Sequence, residues 1–204
     1  MLSYHQSIIN DGCQQNVYVD GTATGTMINA GGYQIDWGTA TGTMINGGTQ
    51  YVYGTATDTT IAAGLQHVQS GGVAINTTIG TGQAAYVHGG GSMDSVTFAG
   101  PYAILGLDQS SGLIGSISGW QDNDYIDLGD ILFDEGSTSL AFVRNEDNDG
   151  GALVVSDGSH TATLNLLGQY SAADFALSSD GHGGTLISNP AAVPEAELAP
   201  ALHG

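Results

Sequence analysis

Over its first hundred residues the chain alternates two kinds of short segment, with glycine turns between them. One kind sets apolar side chains at every second position: Asn16-Val17-Tyr18-Val19, Tyr33-Gln34-Ile35-Asp36, Gln50-Tyr51-Val52-Tyr53, Gln66-His67-Val68-Gln69 and Ala84-Ala85-Tyr86-Val87. The other kind repeats. It reads GTATGTMINAGG at 21–32, GTATGTMINGG at 38–48, GTATDTTI at 54–61, GVAINTTI at 72–79 and, more weakly, GSMDSVTF at 91–98. The copies begin at Gly21, Gly38, Gly54, Gly72 and Gly91, with spacings of 17, 16, 18 and 19 residues. Period-two alternation over so few residues predicts short strands. A strand that short cannot bury a face alone, but stacked units bury a continuous core. These spacings are too small for a helix-turn-helix unit. The pattern predicts an all-β fold: a parallel β-solenoid (β-helix) over 14–118, after an N-terminal extension at 1–13.

Stacking assigns roles to the repeated residues. Gly31-Gly32, Gly47-Gly48 and Gly71-Gly72 fall at sharp turns, where positive φ is expected. Met27-Ile28, Met44-Ile45, Ile61 and Ile79 are expected inside. Thr22, Thr24 and Thr26, then Thr39, Thr41 and Thr43, then Thr55, Thr57 and Thr59, are expected to form ladders along one face, since β-branched threonine suits strands. Tyr18, Tyr33, Trp37, Tyr51, Tyr53 and Tyr86 recur on the other segment. They read as an exposed stripe or as stacked solenoid side chains, with stacking favoured.

From residue 101 the repeat fades. Segments 104–107 and 113–117 still alternate and read as last coils. Beyond them, 140–143 and 152–155 flank an Asn/Asp/Gly loop, and Asp157-Gly158 is a two-residue turn signal before 161–167. Segments 175–177 and 185–187 flank a glycine-rich turn, and 171–174 reads as a helical turn. A hairpin-rich, acidic β module is therefore expected at 119–190, with a flexible proline-containing tail at 191–204.

Charge narrows the function classes. Twenty acidic residues face one basic residue, Arg144, for a formal net charge of −19. A chain with one cation cannot neutralise a run of phosphates, so nucleic acid is excluded as a partner. It has no polybasic patch for an anionic membrane and lacks the lysines and arginines of phosphoryl-transfer sites. No apolar run reaches transmembrane length, so membrane insertion is not expected. Residues 1–15 show neither the basic nor the apolar region of a signal peptide. The single cysteine, Cys13, cannot form an intramolecular disulfide.

The pattern GG-x-Q-x-V…GTATGT-x-I resembles the passenger repeats of AIDA-type autotransporter adhesins over residues 14–100. It also resembles such repeats in other alphaproteobacterial surface proteins. The resemblance implies a right-handed parallel β-helix at the cell surface, serving adhesion, autoaggregation or biofilm. The later run from Ile126-Asp127-Leu128 through Gly151–Gly158 and Leu167–Tyr170 to Ser179–Ile187 resembles a terminal module of secreted proteins thought to use type I export. That resemblance implies an uncleaved C-terminal export signal.

Candidate chemistry is sparse. Asn145, Asp147 and Asp149, before Gly150, have the spacing of the front of an oxygen-ligand calcium loop. Ser156 stands where the bidentate Glu of such a loop belongs, and a solvated hairpin turn is the plainer reading. Asp122, Asp124 and Asp127, with Asp130, form a second cluster whose mutual repulsion a divalent cation would relieve. Calcium is accordingly the one candidate cofactor. His67, His88, His160 and His182 stand isolated in sequence. Asp157/His160 and Asp180/His182 lack the nucleophile elbow of a hydrolase. Asp20 and Asp36 fall at near-equivalent places in adjacent coils, about one 4.8 Å rung apart, which suits either a solvated ladder or, far less readily, a glycosidase pair.

The expected function is structural, and an enzyme is not expected: an extracellular or bacterial cell-surface protein for adhesion, matrix or biofilm. It would associate as a homo-oligomer or filament assisted by calcium. The alternative is a glycan- or ice-binding module. Its binding face would be the ladder Thr22, Thr24, Thr39, Thr41, Thr55 and Thr57, or the aromatics Trp37 and Tyr53 facing a surface glycan.

Overall fold

The computed structural model describes residues 3–190, so the expected tail at 191–204 lies outside the described residues. The chain winds into a parallel β-solenoid of about seven turns. Each full turn lays one strand on each of three faces. The first face stacks Ser3–His5, Thr22–Thr24, Thr39–Thr41 and Thr55–Thr57, then 73–75 and 92–94. The second stacks Ile8–Ile9, Met27–Asn29, 44–46, 60–61, 78–79, 97–98 and Ser116–Ser118. The third stacks Gln14–Val17, Tyr33–Asp36, 49–52, 65–68, Ala84–Val87, Ile104–Leu107 and Tyr125–Leu128. The solenoid is thus longer than expected at both ends. Residues 3–9, read as an extension, form the first two strands, and the last coil reaches Leu128.

Register explains which repeat positions are buried. Ile28, Ile45, Ile61 and Ile79 stack in one column and are fully buried. Met27 and Met44, expected inside with them, point outward and are 36% and 42% exposed. Successive residues of a strand face opposite sides, so only one of each Met-Ile pair can enter the core. The threonines divide by the same rule. Thr22, Thr24, Thr39, Thr41, Thr55 and Thr57 face outward, but Thr26, Thr43 and Thr59 are buried. A left-handed corner residue, Gly25 at φ 64°, Gly42 at 65° or Asp58 at 55°, precedes each of those three and resets the alternation. Gly31, Gly47 and Gly71 do take positive φ, but Gly32, Gly48 and Gly72 do not. The second glycine of each pair is needed for closeness: a Cβ there would strike the neighbouring coil, at Ile9 O, Ile28 Cγ2 and Val52 O respectively.

The core changes character along the axis. Gln15, Gln34, Gln50 and Gln66 are stacked in register and buried. Each amide donates to the one before it: Gln34 to Gln15 at 2.6 Å, Gln50 to Gln34 at 2.8 Å and Gln66 to Gln50 at 2.9 Å. The inward threonines complete the network, Thr26 donating to Gln15, Thr59 to Gln50 and Thr77 to Gln66 at 3.0–3.3 Å. In the next coils the glutamine column continues as Ala85, Leu105 and Ile126. There the core is apolar, with Met93, Phe98, Ile117 and Trp120 closing around it.

The C-terminal module grows out of the last coil. Thr161–Leu167 continues the second face beside Ser116–Ser118 in parallel. Gly150–Ser156 and Ser139–Arg144 then add antiparallel strands to it. On the third face Thr185–Ser188 pairs antiparallel with Tyr125–Leu128, followed by Ala176–Ser179. Aromatic contacts seal the join: Trp120 lies 5.7 Å from Phe98 and 5.9 Å from Phe175, and Phe142 lies 5.4 Å from Phe175. The expected helical turn is the 3-10 segment Ala172–Asp174, held by Ser171 N–H and Oγ donating to Asp174 at 2.7 and 3.0 Å. Among the described residues no helix is long and apolar enough to cross a membrane.

Candidate functional site: ladders on the solenoid surface

The outward side chains of successive coils form columns, and these are the surface features the repeat builds. On the first face Thr22, Thr39 and Thr55 are in register, as are Thr24, Thr41 and Thr57. The six threonines of the expected binding face are therefore brought onto one face. The array spans three rungs. Ser3 and His5 lie before it, with Thr22 Oγ1 donating to Ser3 Oγ at 3.0 Å, and Val73 and Ile75 follow it.

Two aromatic ladders run along the axis. Tyr18, Trp37 and Tyr53 stack at 5.9 and 5.8 Å with interplanar angles of 10° and 19°, and all three stay exposed. The stripe and the stack, posed as alternatives, are one object here. Trp37 lies between the other two rings and is the least exposed of the three. Tyr51, His67 and Tyr86 form the second ladder, at 5.3 and 5.4 Å. Tyr33 joins neither stack.

His67 and His88, isolated in sequence, are joined in space. Their nitrogens lie 3.1 Å apart, and the other nitrogen of His88 lies 3.3 Å from Asp108 Oδ2. A proton on His88 Nδ1 directed at Asp108 leaves Nε2 as the acceptor, so His67 Nδ1 donates. Burial lowers the His67 pKa, and the neighbouring His88 lowers it further. The signal was the spacing of 21 and 20 residues, close to one coil in that region.

The acidic candidates separate. Asp124 is buried and caps backbone, its oxygens accepting Ala103 N–H and Gln121 N–H at 3.0 Å each. Burial raises its pKa to about 6 despite those bonds. Asp122 is exposed in the preceding turn. Asp127 lies elsewhere, in a cleft of about 290 Å³ shared with Tyr86, Asp108, Asp180 and His182. Burial raises its pKa, and Asp180 adds to that. Asn145 and Asp149 do meet, but within a hairpin turn: Asn145 Oδ1 accepts Asp149 N–H at 3.2 Å and Gly150 N–H at 3.3 Å. Asp147 is exposed between them. Among the described residues no three Asp, Glu, His or Cys side chains converge as metal ligands.

The remaining carboxylates serve turns. Asp157 accepts the N–H groups of His160, Ser159 and Leu132, which hold it well below the usual carboxylate range. Asp180 accepts from His182 and Gly184. Asp20 and Asp36 are not equivalent. Asp20 sits exposed in a turn at φ 64°, whereas Asp36 is buried between Val17 and Val52. The first coil has two more residues at this corner, between Val17 and Gly21, than the second has between Asp36 and Gly38, and that displaces Asp20.

Comparison with known proteins bears on the solenoid. No family model and no curated protein matches the chain. Among solved structures it is similar to TibA. The match is to a TibC-catalysed, hyper-glycosylated TibA55-350 fragment, at 32% identity and a TM-score of 0.54. It covers 60% of this chain and 46% of that one, so the chain spans a little under half the length of the fragment. The TibA likeness supports the AIDA-like reading of the repeats, and that support does not extend to the C-terminal module.

Proposed function

We propose that this chain is a bacterial cell-surface structural protein whose solenoid serves adhesion. The observation that carries this is the surface itself: side chains from distant coils held in register as threonine and aromatic columns on a rigid axis, in a fold like that of TibA. Repeated weak contacts along such a column add through multivalency. Matrix or biofilm formation, export by a type I route and homotypic assembly into filaments are the finer parts of the proposal. Calcium bridging between acidic modules would offset a net charge of −19. Beads coated with the full chain should clump or attach to a glycan-bearing surface, and inert beads would overturn the adhesion reading. Negative-stain images in millimolar calcium and in chelator test assembly. Filaments with calcium alone support bridging. Filaments in both place assembly in the solenoid. Single short rods in both remove self-assembly from the proposal.

The hyper-glycosylation of TibA motivates a second reading of the threonine face. Six outward hydroxyls in register make this face a candidate to carry sugar. Mass spectrometry of peptides covering 21–60, from protein isolated from its natural host, tests it: sugar-sized mass increments on these threonines support it, and unmodified peptides contradict it. Binding of sugar by the aromatic ladder is less well supported, because pyranose stacking needs a free ring face and the central ring, Trp37, has a neighbouring ring on both sides. Ice binding has only the three threonine rungs.

A further inference from the structure

One position breaks the interior pattern of the solenoid. At the end of each third-face strand the inward residues are, in register, Val17, Asp36, Val52, Val68, Val87, Leu107 and Leu128. Six are aliphatic and one is an acid. Asp36 is fully buried. Its Oδ1 accepts Gly38 N–H at 3.1 Å, and its Oδ2 is buried with no partner. Val17 and Val52 pack on either side in the stack. The strands beside it, Gln14–Val17, Thr39–Thr41 and Met44–Val52, carry a single titratable side chain, Tyr51, which points outward. Tyr33, on the same strand as Asp36, also points outward. No charged group therefore compensates a carboxylate at this place, and a buried uncompensated charge is costly.

The next residue is Trp37. It sits between the rings of Tyr18 and Tyr53 in the exposed ladder. Gly38 follows, and its N–H points at both Asp36 Oδ1 and Val17 O, at 3.1 and 3.0 Å. The Asp36 carboxyl thus staples the short corner that carries the central ring of the ladder.

We propose that Asp36 is a proton-operated latch on the aromatic ladder: the neutral carboxyl seats the corner and holds Trp37 in the stack, and the carboxylate leaves the core and takes Trp37 out. The proton is released to water, and the carboxylate follows toward water through the corner it shares with the exposed Trp37. Burial, partly offset by the Gly38 and Ala40 N–H groups, raises the Asp36 pKa to about 7, which places the change near neutrality. The ladder is closed below that pH and open above it.

Tryptophan emission of the full chain, titrated from pH 5 to 9, reads the latch. The other tryptophan, Trp120, is buried far along the axis, so the difference between wild type and Asp36→Asn isolates the corner; a Trp120→Phe background repeats the measurement where it folds. The expected result is a red shift of Trp37 with a midpoint near pH 7 that vanishes in Asp36→Asn and in Asp36→Val. Asp36→Val restores the residue type of the other coils and should fold. Emission flat across the range in wild type overturns the proposal. So does a transition of equal size that persists in Asp36→Asn.

Discussion

The two ends of the solenoid solve the same packing problem differently. Coils containing Gln15, Gln34, Gln50 and Gln66 fill part of the interior with amides that bond along the axis. Coils containing Leu105, Ile126 and Trp120 fill it with hydrocarbon and join the C-terminal module. The first solution gives each coil the same interior and lets coils be repeated. The second ends the repeat, because Phe98, Trp120 and Phe175 make contacts specific to one place. A hydrogen-bonded ladder tolerates repetition but not interruption, while an apolar core tolerates changes of shape at a cost in cavity volume.

The sharpest break should come in the apolar region. Trp120→Ala removes the ring that joins solenoid to module and should cost about 3–5 kcal/mol, read as a lowered midpoint in urea. Next comes pH. Asp36 has a folded pKa of about 7 against 3.8 for the free group. Its neutral form is thus favoured in the fold, so the associated stability is full below pH 4 and is lost as pH rises toward 7. The loss is on the order of 4 kcal/mol. Thermal melts should show wild type falling through that window and Asp36→Val falling less. Asp124, raised to about 6 by burial, adds a smaller loss of the same sign between pH 4 and 6.

Gln50→Leu should cost about 2–4 kcal/mol, because Gln34 Oε1, Gln66 Nε2 and Thr59 Oγ1 each lose a partner inside the core. Replacing all four glutamines by leucine together with the inward threonines by valine removes both sides of each bond and should cost less per site. If the single change proves the milder one, the ladder is not what holds these coils. The smallest effect belongs to the surface: Thr41→Val, outward on the first face, should shift stability by less than about 0.5 kcal/mol.

Much of this was legible in the sequence, since the repeat is self-similar and similar coils must stack. The strand pairs, the isoleucine column and the outward threonines follow from the GTATGTMIN copies alone. The errors have a common cause in corner geometry. Whether Thr26 faces in or out depends on a left-handed residue before it, and whether Asp20 matches Asp36 depends on two extra residues in one turn. Ser3–His5 and Ile8–Ile9 were missed because strands this short carry little periodicity. The His67–His88–Asp108 chain is invisible without register, since its members are about one coil apart rather than neighbours.

The most direct test of the adhesion reading compares the two regions on one surface. Beads coated with the full chain should clump, and clumping should fall sharply when Tyr18, Trp37 and Tyr53 are changed together to serine. It should persist when Asp147 and Asp149 of the module are changed to asparagine, beyond any change due to calcium. Clumping that survives loss of the aromatic ladder and disappears with the module changes would contradict the account.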